Sequence, residues 1–165
     1  MNMSSCLIYL SMCLAIGTSL GVRVADDDFQ GKPITETCLI CMCEALSGCN
    51  ATAVCVNGAC GIFRITWDQW VDSGRLVVEG NTALSDDAFP NCANNPRCAA
   101  DTLQSYMVKY GQDCNDDQQE DCWDYGAIHY MGPFNCKADM PYTYESIFKR
   151  CLNRAQTEQQ QRNLN

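Results

Sequence analysis

Cysteine content constrains this chain more than any other feature, with fourteen cysteines in 165 residues. Cys6 and Cys13 lie in an apolar N-terminal run, and the other twelve lie between residues 38 and 151. Four of these fall within the short stretch CLICMCEALSGC. An even number of cysteines at this density is typical of a small secreted domain whose fold is held by disulfides.

Metal binding is the alternative interpretation, because Cys41 completes a C-x-x-C pair. A zinc site of this kind needs a second such pair or histidines at a defined spacing. The chain has a single histidine, His129, and no second pair at zinc-finger spacing. We therefore expect six disulfides, with no metal and no cofactor.

The N-terminal residues 1–21 have the length and apolar character of a signal peptide, with cleavage after Gly21 or alternatively after Ala25. No later segment is apolar enough to span a bilayer, so we expect a soluble, secreted protein. A secreted chain could carry a glycan on Asn50, in the acceptor Asn50-Ala51-Thr52. The net charge of −9 gives no attraction for nucleic acid or for anionic membranes.

Apolar periodicity and turn residues predict one α+β domain that is mostly helical. Asn57-Gly58 predicts a hairpin, and Cys55 and Cys60 on either side of it could be bridged. Helices are predicted in five segments, capped or stopped by Thr, Pro and Gly: 37–47, 67–73, 96–110, 114–131 and 142–153. The remaining parts are predicted as a loose arm (22–37), a loop (75–90) and a disordered polar tail (153–165), around a domain spanning 38–152.

Four stretches together resemble one known family: CLICMCEALSGC, CGIFRITWDQWVDSG, NPRCAADTLQSYMVKYGQDC and AIHYMG. In order and spacing they are similar to the invertebrate-type lysozymes, also called the destabilase family, from about Cys38 to Cys151. The resemblance implies a lysozyme-like α+β fold with a glycan cleft between the helices and a small sheet. Family members hydrolyse the β-1,4 glycosidic bonds of peptidoglycan, in antibacterial or digestive roles.

The resemblance also implies how the cysteines pair, where spacing alone suggests only the three short-range bridges. The implied pairs are Cys38–Cys122, Cys41–Cys151, Cys43–Cys49, Cys55–Cys60, Cys92–Cys98 and Cys114–Cys136. A further bridge that is common in the family has Ser73 and Thr102 at its two positions here.

Three positions that carry chemistry in active family members hold other residues in this chain. Glycosidases usually need two carboxyl groups, one of them protonated near neutral pH. The resemblance places the proton donor at Leu46 and the second carboxylate in the hairpin, where only Asn57 stands. Some members are credited with isopeptidase activity through a serine, whose position here is Ala59. We therefore expect a weak or non-catalytic family member.

Other acidic residues are poor substitutes for the missing pair. Glu44 lies two residues before Leu46, which on a helix rotates it by about 200° to nearly the opposite face. It is better explained as a solvated helix charge. Asp68 and Asp72 could border the cleft, although capping or surface roles suit them better.

The residues expected to bind a glycan are those at family positions in the cleft or its walls. They are Thr66, Trp67, Asp68, Gln69, Trp70, Asp72, Tyr106 and His129. Aromatic faces stack on sugar rings, and the polar side chains can bond hydroxyls. The alternative is that Trp67, Trp70 and Tyr106 are core residues, and that His129 is structural.

Three functional hypotheses follow. The first is a secreted glycan-binding homologue that has lost hydrolysis, with peptidoglycan or a chitin-like oligosaccharide as ligand. The second is an active muramidase whose carboxylates have been relocated. The third is a scaffold that binds another protein. Exposed aromatics on a groove favour the first, and two carboxylates facing each other favour the second.

Overall fold

The computed structural model describes residues 31–51 and 54–164. The predicted signal peptide, with Cys6 and Cys13, lies outside these residues. The described parts form six helices and one antiparallel sheet, which confirms the predicted α+β class. The elements are α1 (Glu36–Ser47), β1 (Cys55–Val56), β2 (Ala59–Cys60), β3 (Ile65–Thr66), α2 (Trp67–Asp72), α3 (Ala88–Asn94), α4 (Pro96–Tyr110), α5 (Cys122–Met131) and α6 (Tyr142–Asn163).

The first helix starts earlier than predicted, because Thr35 and not Thr37 is its cap. Thr35 Oγ1 accepts the backbone N–H of Cys38 at 3.2 Å, which satisfies one of the helix's unpaired donors. The preceding Ile34 is fully buried. Its N–H and carbonyl both bond the side chain of Gln104 in α4, at 2.9 and 2.6 Å. The prediction of a loose arm up to residue 37 is therefore wrong at its last residues.

The predicted hairpin is confirmed, and a third strand extends it into a sheet of order β1-β2-β3. Asn57 and Gly58 both have positive φ, 52° and 79°, as a two-residue turn of this kind requires. Gly61, just after β2, also has positive φ. A Cβ at Gly61 would overlap the carbonyl oxygen of Ala93 in α3, so the sheet can approach α3 only with glycine at this position.

Six disulfides connect these elements, and they are the six pairs that the family resemblance implies. Cys38–Cys122 ties α1 to α5, and Cys41–Cys151 ties α1 to α6. The other four close loops of 5 to 22 residues. These two bridges therefore join α1 to helices that lie 84 and 110 residues away in sequence.

Three helical boundaries differ from prediction. The predicted loop 75–90 ends in α3, and α5 starts only at Cys122 because Asp121 caps it, accepting the N–H of Trp123 at 2.8 Å. The last helix runs to Asn163, so the disordered tail was a wrong prediction. Its extension lies beside α1, where Arg154 pairs with Glu44 at 2.7 Å.

No helix in the described ranges has the length and apolar character needed to cross a membrane.

Candidate functional site

Leu46, where the resemblance places the family's proton donor, lies at the C-terminal end of α1. Leu46 is half-buried and packs against the core. The next residue, Ser47, donates its hydroxyl proton to the carbonyl oxygen of Ile62 at 2.6 Å, which joins the end of α1 to the turn between β2 and β3. Leu46 therefore lies near the sheet, and its aliphatic side chain has no acidic proton.

Glu44 faces another part of the molecule. Its carboxylate accepts two hydrogen bonds from the Arg154 guanidinium, at 2.7 and 3.5 Å. This directs Glu44 toward α6, about 200° around α1 from Leu46. The interpretation of Glu44 as a partly solvated helix charge fits this ion pair.

The hairpin offers no second carboxylate. The four residues between Cys55 and Cys60 include no acid, and Asn57 is exposed at the turn. Ala59, where the resemblance places the family's serine, pairs with Val56 on one side and Thr66 on the other, so these three side chains share the outer face of the sheet. This face therefore has no nucleophile at its centre.

Four of the predicted binding residues form an exposed patch on α2 and its cap, which we call the α2 surface: Thr66, Trp67, Asp68 and Asp72. Thr66 and Gln69 form a capping box, with Gln69 N–H bonding Thr66 Oγ1 at 3.3 Å and Thr66 N–H bonding Gln69 Oε1 at 3.0 Å. Because both ends of this box are satisfied, the start of α2 is rigid.

Trp67 is the aromatic residue of the α2 surface, and its side chain is 50% exposed. Its ring lies 5.0 Å from that of Trp70 and meets Phe89 of α3 edge-on at 5.6 Å. Sequence patterns did not single out Phe89, which fell in a predicted loop. Since two aromatic neighbours hold the Trp67 ring from the protein side, its outer part is presented to solvent in a fixed orientation.

Asp72 forms an ion pair with Lys109 of α4 at 2.9 Å. The hydrogen bond from Lys109 lowers the pKa of Asp72 below its usual value. A carboxyl group held in this way stays ionised at neutral pH and cannot act as a general acid. Asp72 can still accept hydrogen bonds from a ligand.

Trp70 and Tyr106 lie in the core, as the alternative interpretation had it. Trp70 is 1% exposed, and its indole N–H donates to the carbonyl oxygen of Leu76 at 2.7 Å. Burial raises the pKa of the Tyr106 hydroxyl to about 12. Neither ring presents a face to a ligand in this structure, so both support the α2 surface from within.

His129 and Gln69 are also buried, and they bond each other. His129 Nε2–H donates to the carbonyl oxygen of Phe63 at 2.7 Å. Gln69 Nε2 donates to the His129 carbonyl oxygen at 2.9 Å and lies 3.2 Å from its Nδ1. Burial lowers the pKa of His129 to about 4, so the ring is neutral with both nitrogens occupied. His129 therefore joins α5, α2 and the turn between β2 and β3, and it has no free nitrogen for catalysis.

The burial of neutral His129 predicts a loss of stability in acid. An unfolded histidine, with pKa near 6.5, takes up a proton before the folded one, so the free energy of unfolding falls as the pH drops from about 6.5 toward 4. The expected loss is about 3 kcal/mol. Urea unfolding at several pH values measures this loss of stability. The control is His129→Gln, which should lack the part of the pH dependence that comes from the histidine. Equal pH dependence in both proteins would contradict the assignment.

Among the described residues, one carboxylate is fully buried, and it has a structural role. Asp124 accepts the backbone N–H groups of Cys114 and Asp121, each at 2.8 Å, and so caps α5. No group of three or more His, Cys, Asp or Glu side chains in the described ranges could hold a metal ion. The α2 surface thus combines one half-exposed indole ring with exposed hydroxyl and carboxyl groups.

Comparison with known proteins links this arrangement to one family. The family model described as Destabilase matches residues 35–151. The lysozyme of Ostrea edulis is 30% identical over 122 residues, which cover 70% of this chain and 80% of the relative. Invertebrate-type lysozyme 3 of Caenorhabditis elegans is 26% identical, over 69% of this chain and 84% of the relative.

Solved structures agree with the sequence comparison. A chain in the crystal structure of Aeromonas hydrophila PliI in complex with Meretrix lusoria lysozyme superposes with a TM-score of 0.58 at 26% identity, covering 74% of this chain and 93% of that chain. Inhibitor-bound lysozyme from Meretrix lusoria gives a TM-score of 0.53 at 25% identity, covering 73% and 90%. The fold is therefore lysozyme-like.

Proposed function

Since this chain belongs to the destabilase family of invertebrate-type lysozymes, we propose that it is a secreted glycan-binding protein that no longer hydrolyses its ligand. The ligand class is peptidoglycan or a chitin-like oligosaccharide. Secretion is supported by the signal-peptide character of residues 1–21 and by the six disulfides. Asn50 is exposed, as a glycosylation site must be.

The proposed loss of hydrolysis is supported by Leu46, which stands where the resemblance places the proton donor. Hydrolysis by the usual route needs two carboxyl groups about 5–9 Å apart, one of which keeps its proton. Leu46 has no proton to give, and the hairpin that should present the partner carries Asn57. The relocated-carboxylate hypothesis finds little support from Asp72 and Glu44, because each forms an ion pair with a basic side chain.

Binding is supported by the α2 surface. The Trp67 ring is half-exposed and held by Trp70 and Phe89, so stacking a sugar on it costs little side-chain entropy. Carboxylates of Asp68 and Asp72 on the same helix can accept hydrogen bonds from hydroxyl groups. An apolar face beside fixed polar groups is the usual composition of a small-ligand site.

Binding of another protein is a second candidate. It is favoured by the matching structures, in which Meretrix lusoria lysozyme is in complex with Aeromonas hydrophila PliI or is inhibitor-bound. Titration of this chain with purified PliI tests that candidate separately from any glycan.

Trp67→Ala is expected to weaken binding of N-acetylglucosamine oligomers by roughly tenfold, or 1.4 kcal/mol, because the stacking face is removed. Isothermal titration with chitotriose measures the affinity. Tyr142→Ala is the matched control, since Tyr142 is 81% exposed at the start of α6, a helix that contributes no residue to the α2 surface. Turbidity of a bacterial cell-wall suspension should fall no faster with wild type than with buffer. Absence of chitotriose binding by wild type would reject the proposal.

A further inference from the structure

The segment that connects α4 to α5 carries oxygen-bearing side chains at the spacing of a calcium-binding loop. Residues 113–124 read DCNDDQQEDCWD. Calcium loops of the helix–loop–helix type follow the pattern D-x-[DN]-x-[DN]-G-x5-E. Their positions 1, 3 and 5 supply side-chain oxygens, and position 7 supplies a backbone carbonyl. The residues at these four positions are Asp113, Asn115, Asp117 and Gln119.

The backbone of this segment also follows the pattern. Gln118 stands at position 6, where the pattern has glycine for a sharp turn, and its φ is 70°. Its N–H donates to Asp113 Oδ2 at 2.8 Å. Asn115 Oδ1 accepts the N–H of Asp117 at 3.2 Å, and Asp117 Oδ1 accepts the N–H of Gln119 at 2.9 Å. These bonds hold the three oxygen-bearing side chains within one tight stretch of chain.

A buried oxygen atom without a partner indicates that this loop holds a ligand. Asp113 Oδ1 is shielded from solvent and accepts no hydrogen bond from the described part of the chain. The other oxygen of the same carboxylate is bonded to Gln118 inside the loop, so the group faces the loop interior. A carboxylate oxygen that has lost water without gaining a donor is costly. A cation bound at Asp113 Oδ1 removes that cost.

The chemistry of the donor atoms favours calcium among the common metal ions. The set consists of two carboxylates, one amide oxygen and one main-chain carbonyl, which are ligands for a hard cation and unlike the thiolates and imidazoles of zinc sites. The expectation of no metal was argued from cysteine and histidine ligands alone. The described residues include no suitable group of three His, Cys, Asp or Glu side chains, and this set has only two. Calcium accepts such mixed oxygen sets with water, whereas magnesium demands near-ideal octahedral geometry.

The affinity should be low, because the last position of the pattern does not provide a ligand. Asp124 stands where calcium loops have a bidentate glutamate. It is fully buried, and its two oxygens accept the N–H groups of Cys114 and Asp121, each at 2.8 Å. Water must therefore complete the coordination. We expect a dissociation constant of about 10⁻⁴–10⁻³ M, the range of calcium sites in extracellular modules.

One basic side chain already occupies the surroundings of this loop. The Lys137 ammonium forms an ion pair with Asp116. Asp116 and, to a smaller extent, Asp113 raise the pKa of Lys137 above its usual value. The Lys137 side chain is 59% exposed, so the pair is weak and can open. The loop thus attracts positive charge, and Lys137 competes with a metal ion for it.

We propose that residues 113–119 bind one calcium ion through the side chains of Asp113, Asn115 and Asp117 and the carbonyl oxygen of Gln119. Water completes the coordination sphere. Asp121, the cap of α5, follows this segment directly, so the bound ion stabilises the start of that helix. The proposal does not depend on whether the protein binds a glycan.

The test starts from oxidised full-length protein that has been freed of divalent ions with a chelator. Calcium chloride at ten times the dissociation constant should raise the melting temperature by about 3–5 °C. Amide chemical shifts of residues 113–121 during the titration give the affinity. Magnesium chloride at the same concentrations controls for ionic strength and should raise the melting temperature less.

Three variants test the assignment of the ligands. Asp113→Asn keeps an oxygen for the Gln118 N–H but removes a ligand charge, and it should weaken calcium binding by roughly tenfold. Glu120→Gln is the matched control, because it removes the same charge from the same loop at position 8, which supplies no ligand. It should leave the affinity unchanged. Lys137→Gln removes the competing ammonium group and should tighten calcium binding.

Several outcomes would reject the site. Equal melting-temperature shifts with calcium and magnesium would mean that the ions only screen an acidic surface. Equal weakening by Asp113→Asn and Glu120→Gln would have the same meaning. Unchanged amide shifts of residues 113–121 in wild type at about 10 mM calcium would exclude binding in the expected range.

Discussion

Reduction of all six disulfides is expected to unfold this protein at room temperature in neutral buffer without denaturant. Each native bridge in a small domain contributes about 2–4 kcal/mol, whereas whole domains are stable by only about 5–15 kcal/mol. The sheet and α2 are too short to be stable by themselves, with strands of two residues and a helix of six. Far-UV circular dichroism before and after a phosphine reductant measures the loss. A cooperative melt of the fully reduced protein would contradict the expectation.

The loss in free energy of unfolding on removing one bridge should increase with the length of the loop that the bridge closes. Cys41–Cys151 spans 110 residues, although Cys38–Cys122 shortens the effective loop to roughly 30 residues. Replacing the Cys41–Cys151 pair by serines should therefore cost about 4 kcal/mol. The matched control is serine replacement of Cys55–Cys60, which spans 5 residues and should cost about 2 kcal/mol. The mass of the untreated protein must show no free thiol among residues 38–151.

Local sequence signals were sufficient to predict those elements whose structure is determined by one short stretch. Asn57-Gly58 predicted the hairpin because few other residues adopt two consecutive positive φ angles. Pro96 and Gly111 correctly bounded α4. The long-range disulfide pairs could not be obtained in this way, since spacing gives no information about cysteines 84 or 110 residues apart. They came only from the resemblance.

The errors in helix boundaries have local physical causes. Thr35 and Thr37 are equally good caps, and the choice depends on Ile34, whose backbone bonds Gln104 some 70 residues away. The predicted loop 75–90 ended at Pro90, yet Pro90 lies in the first turn of α3, where a missing N–H breaks no helical bond. After Cys151 the chain has no Gly or Pro, and its Gln and Arg residues are good helix formers, so α6 continues.

Site residues were harder to predict than the fold, because their exposure depends on the rotation of a six-residue helix. Trp67 and Trp70 lie three positions apart on α2, yet one is half-exposed and the other is buried. Composition alone cannot distinguish them. The structural role of His129 likewise depends on its hydrogen bonds with Phe63 and Gln69, which lie 66 and 60 residues away in sequence.

Hydrolysis is expected to need both an acid at position 46 and a carboxylate in the hairpin. The Leu46→Glu variant alone should lyse cell walls no faster than background in a turbidity assay. Leu46 is half-buried against the core, so a glutamic acid there should have a raised pKa and could donate a proton. General acid help contributes only about 10²–10⁴-fold, whereas complete enzymes reach about 10⁶-fold or more. The two-residue turn at Asn57-Gly58 leaves no place for the second carboxylate.

Appreciable lysis should appear only when Leu46→Glu is combined with a hairpin lengthened between Cys55 and Cys60 to carry an aspartate. The matched control for the double graft has the same lengthened hairpin but carries Leu46→Gln. Glutamine is close to glutamic acid in size and polarity but has no acidic proton. Each variant must first show the mass of a fully oxidised protein. If the control lyses walls as fast as the double graft, the donor is not at position 46. If wild type lyses walls at the rate of Meretrix lusoria lysozyme, the carboxylates have been relocated and Leu46 does not mark a lost activity.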